Sequence, residues 1–317
     1  MYACSPAWGN RWIEPEDLQR VLEQLAGKIK PAPFGADTSA LNHGLHFTGG
    51  EPFLNFELLC RAVEMAQELG IPSTFVETNC YWAVKDDVTR EKLNILKGKG
   101  LKGIMISVNP FYLEYVPFEY TLRAITISLE IFGSNTMVYQ LEYYRRFYSM
   151  GIRKKLPLEE YLLMEKERDF TRNAEFFISG KAPYSLKRLG IYPSYPPERL
   201  FRSACMPSFL RNWHNHFDNY CNYIPGYCGG ISLGDCRELD RLLEEGLSGD
   251  EFPVLSFLVK DDFEGILSFA RSYGYKVDEE GYFSKCHLCV DIRRHLAING
   301  TFRELQPIEF YLHLEDG

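Results

Sequence analysis

The stretch Leu45-His46-Phe47-Thr48-Gly49-Gly50-Glu51-Pro52-Phe53-Leu54 decides the fold. Gly44 to Thr48 reads as a short buried strand, and the paired glycines that follow let backbone approach a ligand closely. A helix starts after Pro52, with Leu58, Leu59, Ala62, Val63, Ala66 and Leu69 on one face. The same unit then recurs. Gly70-Ile71-Pro72 breaks the helix, a strand from Ser73 to Val76 ends at Glu77-Thr78-Asn79, and a helix is expected around Thr89 to Leu96. Gly103-Ile104-Met105-Ile106 makes another strand, ending at Ser107-Val108-Asn109-Pro110. A helix over Glu119 to Phe132 and a strand over Thr136 to Tyr139 follow, and an amphipathic helix over Pro15 to Ile29 precedes them all. Strands alternating with helices imply right-handed crossovers and a parallel sheet. The expected class is α/β: a partial (β/α) TIM-like barrel of parallel strands over 1–190, then, past a boundary at Pro193 to Pro197, a Cys-rich C-terminal extension over 198–317.

Composition narrows the function classes. The 317 residues carry 35 basic and 43 acidic side chains, a net charge of −8, with no Lys/Arg-rich stretch. A nucleic-acid partner bound through a basic surface is therefore not expected. Apolar runs are far shorter than the roughly 18 residues of a membrane span, and no basic start followed by an apolar core marks an export signal. The nine cysteines are odd in number, which with no export signal fits a reducing cytoplasm. Six of them, Cys205, Cys221, Cys228, Cys236, Cys286 and Cys289, lie beyond residue 200.

Two groups of residues carry chemistry. Gly49-Gly50-Glu51-Pro52, Glu77-Thr78-Asn79 and Ser107-Val108-Asn109 end three successive strands, the edge where ligands bind in parallel α/β folds. There the Glu51 carboxylate suits an ammonium or a hydroxyl. In the C-terminal part, Cys286-His287-Leu288-Cys289 is a C-x2-C chelate at a helix start, and Cys228 lies in the loop Gly226-Tyr227-Cys228-Gly229-Gly230, whose glycines leave room for a bulky ligand. Thiolates of Cys205, Cys228, Cys286 and Cys289 suit an iron–sulfur cluster or a tetrahedral zinc, with Cys221 and Cys236 as substitutes for one of the four. His214 and His216 read as a solvated loop, His43 and His46 as loop and barrel-lining residues, and Asp291 to Arg294 as a solvated helix face.

Leu45 to Leu54 resembles the second-strand motif of the radical S-adenosylmethionine enzymes, and Glu77-Thr78-Asn79 their third-strand turn, with Cys80 where glycine is usual. The resemblance covers roughly 1–190. It implies that Gly49, Gly50 and Glu51 hold the cofactor's amino group, that Thr78 and Asn79 line the same site, and that Ser107 and Asn109 face its ribose or carboxylate. The cysteines after 198 resemble SPASM/Twitch extensions, which carry auxiliary [4Fe-4S] clusters. One departure stands out: the C-x3-C-x2-C triplet that binds the family's radical-generating cluster does not occur. The expectation is that this triplet and the first barrel strand lie upstream of Met1, with a degenerate relative as the alternative. The implied activity is reductive cleavage of S-adenosylmethionine to a 5′-deoxyadenosyl radical, which abstracts hydrogen from a peptide or small-molecule substrate, with an electron-donor protein as partner. A non-catalytic or zinc-stabilised binding protein is the competing expectation.

Overall fold

The computed structural model describes residues 5, 7–164, 180–187, 193–201, 204–209, 211 and 213–315. The chain divides into two units, Leu18–Phe176, and Met1–Asp17 together with Phe177–Gly317. Residues 1–190, assigned from sequence to the partial barrel, thus contribute to both units; Cys4 lies outside the described residues.

The first unit is built on four parallel strands in the order β1-β2-β3-β4: His46–Phe47, Phe75–Thr78, Gly103–Ser107 and Thr136–Tyr139. Among the described residues the sheet is open, with β1 and β4 as its edges, and it does not close into a barrel. The helices that flank it include α1 (Pro15–Leu25), most of which lies in this unit, α2 (Phe56–Glu68), α3 (Asp86–Gly98) and α4 (Phe118–Phe132). Each of α2, α3 and α4 connects one strand to the next, as expected for right-handed crossover units. In α4, Ala124, Ile125, Ser128, Ile131 and Phe132 are buried along one face, and the helix packs on β3 and on α3.

One strand is shorter than its apolar run suggests and the next starts later, both for backbone reasons. Gly44 has φ 80°, and a Cβ there would lie 2.1 Å from the Ser73 carbonyl oxygen, so the chain crosses its neighbour instead of pairing with it. Ser73 itself is left-handed (φ 54°), with its hydroxyl accepting from Ala32 N at 2.8 Å, which delays β2 to Phe75.

Register fixes two faces of this sheet, because side chains alternate along a strand. Val76, Thr78, Ile104 and Ile106 share one face and are all buried. His46, Glu77, Ser107 and Tyr139 lie on the other.

The second unit contains a short antiparallel hairpin, Asn215–Phe217 (β5) with Tyr223–Pro225 (β6), and an apolar core fed by the helices Pro253–Val259, Phe263–Ser272 and Lys285–Asn299. The last of these starts on Ser284, whose hydroxyl accepts from His287 N at 3.0 Å. This cap fixes the turn that carries Cys286 and Cys289. Among the described residues no helix is long and apolar enough to cross a membrane.

Candidate functional site

The carboxyl edge of the sheet carries two carboxylates in opposite settings. Glu51 follows the exposed Gly49-Gly50 turn, yet its own side chain is buried. Its Oε1 accepts from Thr78 Oγ1 at 2.9 Å and from Phe53 N at 3.2 Å, and its Oε2 accepts from Asn79 N at 2.8 Å. The link from Glu51 to the end of β2 therefore ties two of the three strand-end motifs together. One acceptor position remains, on Oε2. Burial outweighs these hydrogen bonds and raises the carboxyl from 4.5 to about 7.

Glu77 is half-buried on the other face. Its Oε2 meets His46 Nε2 at 2.9 Å and accepts from Thr48 Oγ1 at 3.1 Å, while its Oε1 accepts from the Ser107 hydroxyl. Burial pushes this carboxyl up, but the hydrogen bond and charge of His46, with the hydroxyls of Ser107 and Thr48, hold it below its usual range. Glu77 thus stays ionised at neutral pH and gives the rim a fixed negative charge between β1 and β3.

The expected cofactor-site residues gather at this edge, but most of their side chains serve the protein. Thr78 Oγ1 also accepts from Cys80 N at 3.0 Å and from Trp82 Nε1 at 2.8 Å. Asn79 Oδ1 accepts from Tyr81 N, Asn109 Oδ1 accepts from Tyr112 N, and Ser107 is committed to Glu77. Open to a ligand are the Gly49-Gly50 backbone, where an added Cβ would meet nothing within 4 Å, and the spare position on Glu51. Glu77 belongs to a strand-end motif and His46 reads as barrel-lining in the sequence, but neither they nor Thr48 receive a site role there. Their signal was alternation along the strands, which sets His46 and Glu77 on one face.

In the second unit the four expected thiols share one neighbourhood. The Cys205 sulfur feels the charges of Cys289 and Cys286, and the Cys228 sulfur those of Cys289, Cys286 and Cys205. Burial, then the neighbouring thiols, push Cys205 up to about 12. Burial also raises Cys228 to about 12, against the charge of Arg293, and it raises Cys286 as well. Among the described residues no group of three or more His, Cys, Asp or Glu side chains is arranged to hold a metal ion. The donors are of the right chemistry and in the right region, but they are not drawn in around a single ion.

Three expectations are corrected here. Gly230 has φ 77°, and a Cβ there would lie 2.4 Å from the Phe310 ring, so this glycine makes room for core aromatics and not for a ligand. The 291–294 face is not simply solvated: Arg293 is 3% exposed, and Asp291 accepts from Tyr275 Oη at 2.7 Å and from Tyr282 Oη at 3.2 Å. His214 and His216 flank the start of β5 with their ring centroids 4.6 Å apart, and His214 is the same distance from the Tyr227 ring.

Cys221 and Cys236 form a separate pair. Cys236 N donates to the Cys221 carbonyl at 2.8 Å, and the charges acting on Cys236 come from Cys221, Asp235 and Asp218. Serine at either position is therefore expected to leave iron and sulfide content unchanged after anaerobic reconstitution. A loss of half or more would make that thiol a ligand.

Comparison of the chain with protein-family models and with curated proteins finds no match.

Proposed function

We propose that this chain is a radical S-adenosylmethionine type protein, with a partial (β/α) barrel that binds the cofactor and a C-terminal thiolate centre for an auxiliary [4Fe-4S] cluster. The observation that carries the reading is the knitted strand-end rim. There the exposed Gly49-Gly50 backbone lies next to one buried carboxyl able to take a further donor and follows a strand paired with that of the ionised Glu77. Such a rim suits a ligand with an ammonium and a sulfonium, since both are cationic and both gain from nearby carboxylates. When bound, the cofactor would supply the adenosyl radical chemistry of its family.

The chain's own residues would do the binding. Gly49 and Gly50 would offer backbone to the amino group, Glu51 its spare acceptor, and Glu77, oriented by His46, Thr48 and Ser107, its charge. The radical-generating cluster is a different matter. No C-x3-C-x2-C triplet occurs in these residues, so the donor set does not fit that cluster and no cleavage step is derived through it. Of the two groups that Cys205, Cys228, Cys286 and Cys289 could hold, we favour an auxiliary cluster over a lone zinc, because these thiols are not drawn in around one ion. A four-iron cluster places each thiolate on a different iron, which asks for a wider ligand set than one tetrahedral ion. A peptide or small-molecule substrate and an electron-donor protein complete the proposed activity, on family analogy.

The test is the pH dependence of S-adenosylmethionine affinity, measured by calorimetry on the full chain. An ammonium next to Glu51 favours its ionised form, so below about pH 7 binding must expel a proton. Affinity should climb by up to about tenfold per pH unit between about pH 5 and 7, and fall above about pH 8 as the ligand's own amino group deprotonates. In Glu51→Gln the climb should vanish. No binding at any pH overturns the reading; binding with an unaltered climb in the variant removes Glu51 from the site.

A further inference from the structure

We propose that Cys221 and Cys236 are a disulfide-forming site, joined when the chain meets a low-molecular-weight disulfide such as glutathione disulfide. The inference is independent of the proposed function and involves no metal. The two residues stand opposite each other in a backbone pairing. Asn222 and Asp235 form an antiparallel bridge, and on one side of it Cys236 N donates to the Cys221 carbonyl at 2.8 Å. On the other side Tyr223 N donates to the Gly234 carbonyl at 2.9 Å. Opposed residues in such a pairing have Cα atoms about 4.5–5.5 Å apart, within the roughly 4.4–6.8 Å that a disulfide spans. Both side chains are buried, and Cys221 is the nearest charge in effect on the Cys236 sulfur.

Each cysteine sits on backbone that is braced independently of the other. Cys221, left-handed at φ 65°, donates its N–H to the Asp218 carbonyl at 3.0 Å. The Asp218 carboxylate accepts from Tyr220 N at 2.9 Å and from Asn222 N at 2.8 Å. On the facing side, Asp235 accepts from Arg237 N at 2.9 Å and takes the Arg237 guanidinium, which also reaches Asp17 at 2.8 Å. Joining the sulfurs therefore asks for side-chain rotation and little backbone movement, the condition for an unstrained bond. In the reaction one cysteine thiolate attacks glutathione disulfide and releases one glutathione. The second thiolate then displaces the other glutathione from the mixed disulfide. One S–S bond forms and one breaks, two electrons pass to glutathione, and the two thiol protons end on its two released thiols. Burial raises both cysteine thiols, so exchange runs when this segment opens, and the closed bond is sheltered afterwards.

The experiment is disulfide mapping of the native full chain, with no iron or sulfide added, after equilibration with reduced and oxidised glutathione. Free thiols are blocked with iodoacetamide, and chymotrypsin then separates Cys221, Cys228 and Cys236 by cleavage at Tyr223, Tyr227 and Leu233. Cys221 and Cys236 should be recovered as one cross-linked pair in most chains. The control is the same treatment in guanidinium, where pairing follows loop length and Cys221 should join the nearer Cys228 at least as often as Cys236. The ratio of 221–236 to 221–228 pairs should be about tenfold or more higher in the native chain than in this control. No variant is needed, so the result does not depend on a mutant folding. Recovery of both native-chain cysteines as blocked thiols, or joined to other cysteines, overturns the proposal. An equal ratio with and without guanidinium overturns it too, because the fold would then contribute nothing to the pairing.

Discussion

Replacing Cys289 by serine is expected to drop the iron and sulfide content of the anaerobically reconstituted protein from about four of each per chain to below about one. Cys289 is buried in the second unit's core, next to Leu288 and Val290, and its charge acts on both Cys205 and Cys228. Of the four thiols it is the one that burial and mutual influence place most centrally. Serine is a far weaker ligand for iron than thiolate. Cys60→Ser, in α2 of the other unit, is the matched control and should load normally. About one zinc and no sulfide in the wild type would turn the centre into a structural metal site. Neither metal would leave four neighbouring thiols, only Cys289 of them buried, with no cofactor role.

Glu51→Gln should remove a pH dependence of stability worth about 3 kcal/mol. The folded-state carboxyl titrates near 7 against an ordinary value of 4.5, and each unit is worth about 1.4 kcal/mol. The sign follows from which state keeps the proton. Between those values the unfolded chain has released it while the folded chain still holds it, so folding binds a proton. Wild-type stability from this group is therefore present in full below about pH 4.5 and is lost as the pH rises through about 7. Glutamine does not titrate, so the variant pays a constant cost for facing the Asn79 N–H with an amide. Denaturant unfolding of both proteins from pH 4 to pH 8 is the measurement. The wild-type advantage should be largest at the acid end and shrink by about 3 kcal/mol at pH 8. A pH-independent difference between them would mean that the Glu51 carboxyl titrates alike in the folded and the unfolded chain, despite its burial.

Much of the first unit is legible in the sequence because its signals are local. Alternating strand and helix patterns, with glycine or proline at the breaks, give the four parallel strands and the helices between them. The strand over Thr136–Tyr139 is found at its expected bounds. Strand lengths were less legible, since the apolar run at Gly44 to Thr48 does not announce that Gly44 crosses over Ser73. The candidate rim was legible as residue types, but not as roles. Gly49-Gly50-Glu51, Thr78-Asn79, Ser107 and Asn109 stand together as their strand-end positions imply. Which of them faces a ligand and which braces a neighbour depends on hydrogen bonds between strands roughly thirty residues apart.

What the sequence determined by itself was the α/β pattern, the three polar strand ends and the C-x2-C start of a helix, because helix and strand periods and turn chemistry act within a few residues. Only the tertiary structure decided that Glu51 is buried and Glu77 ionised, and that Arg293 is drawn out of water. Each of those outcomes depends on burial and on partners distant in the chain, and no local period encodes either.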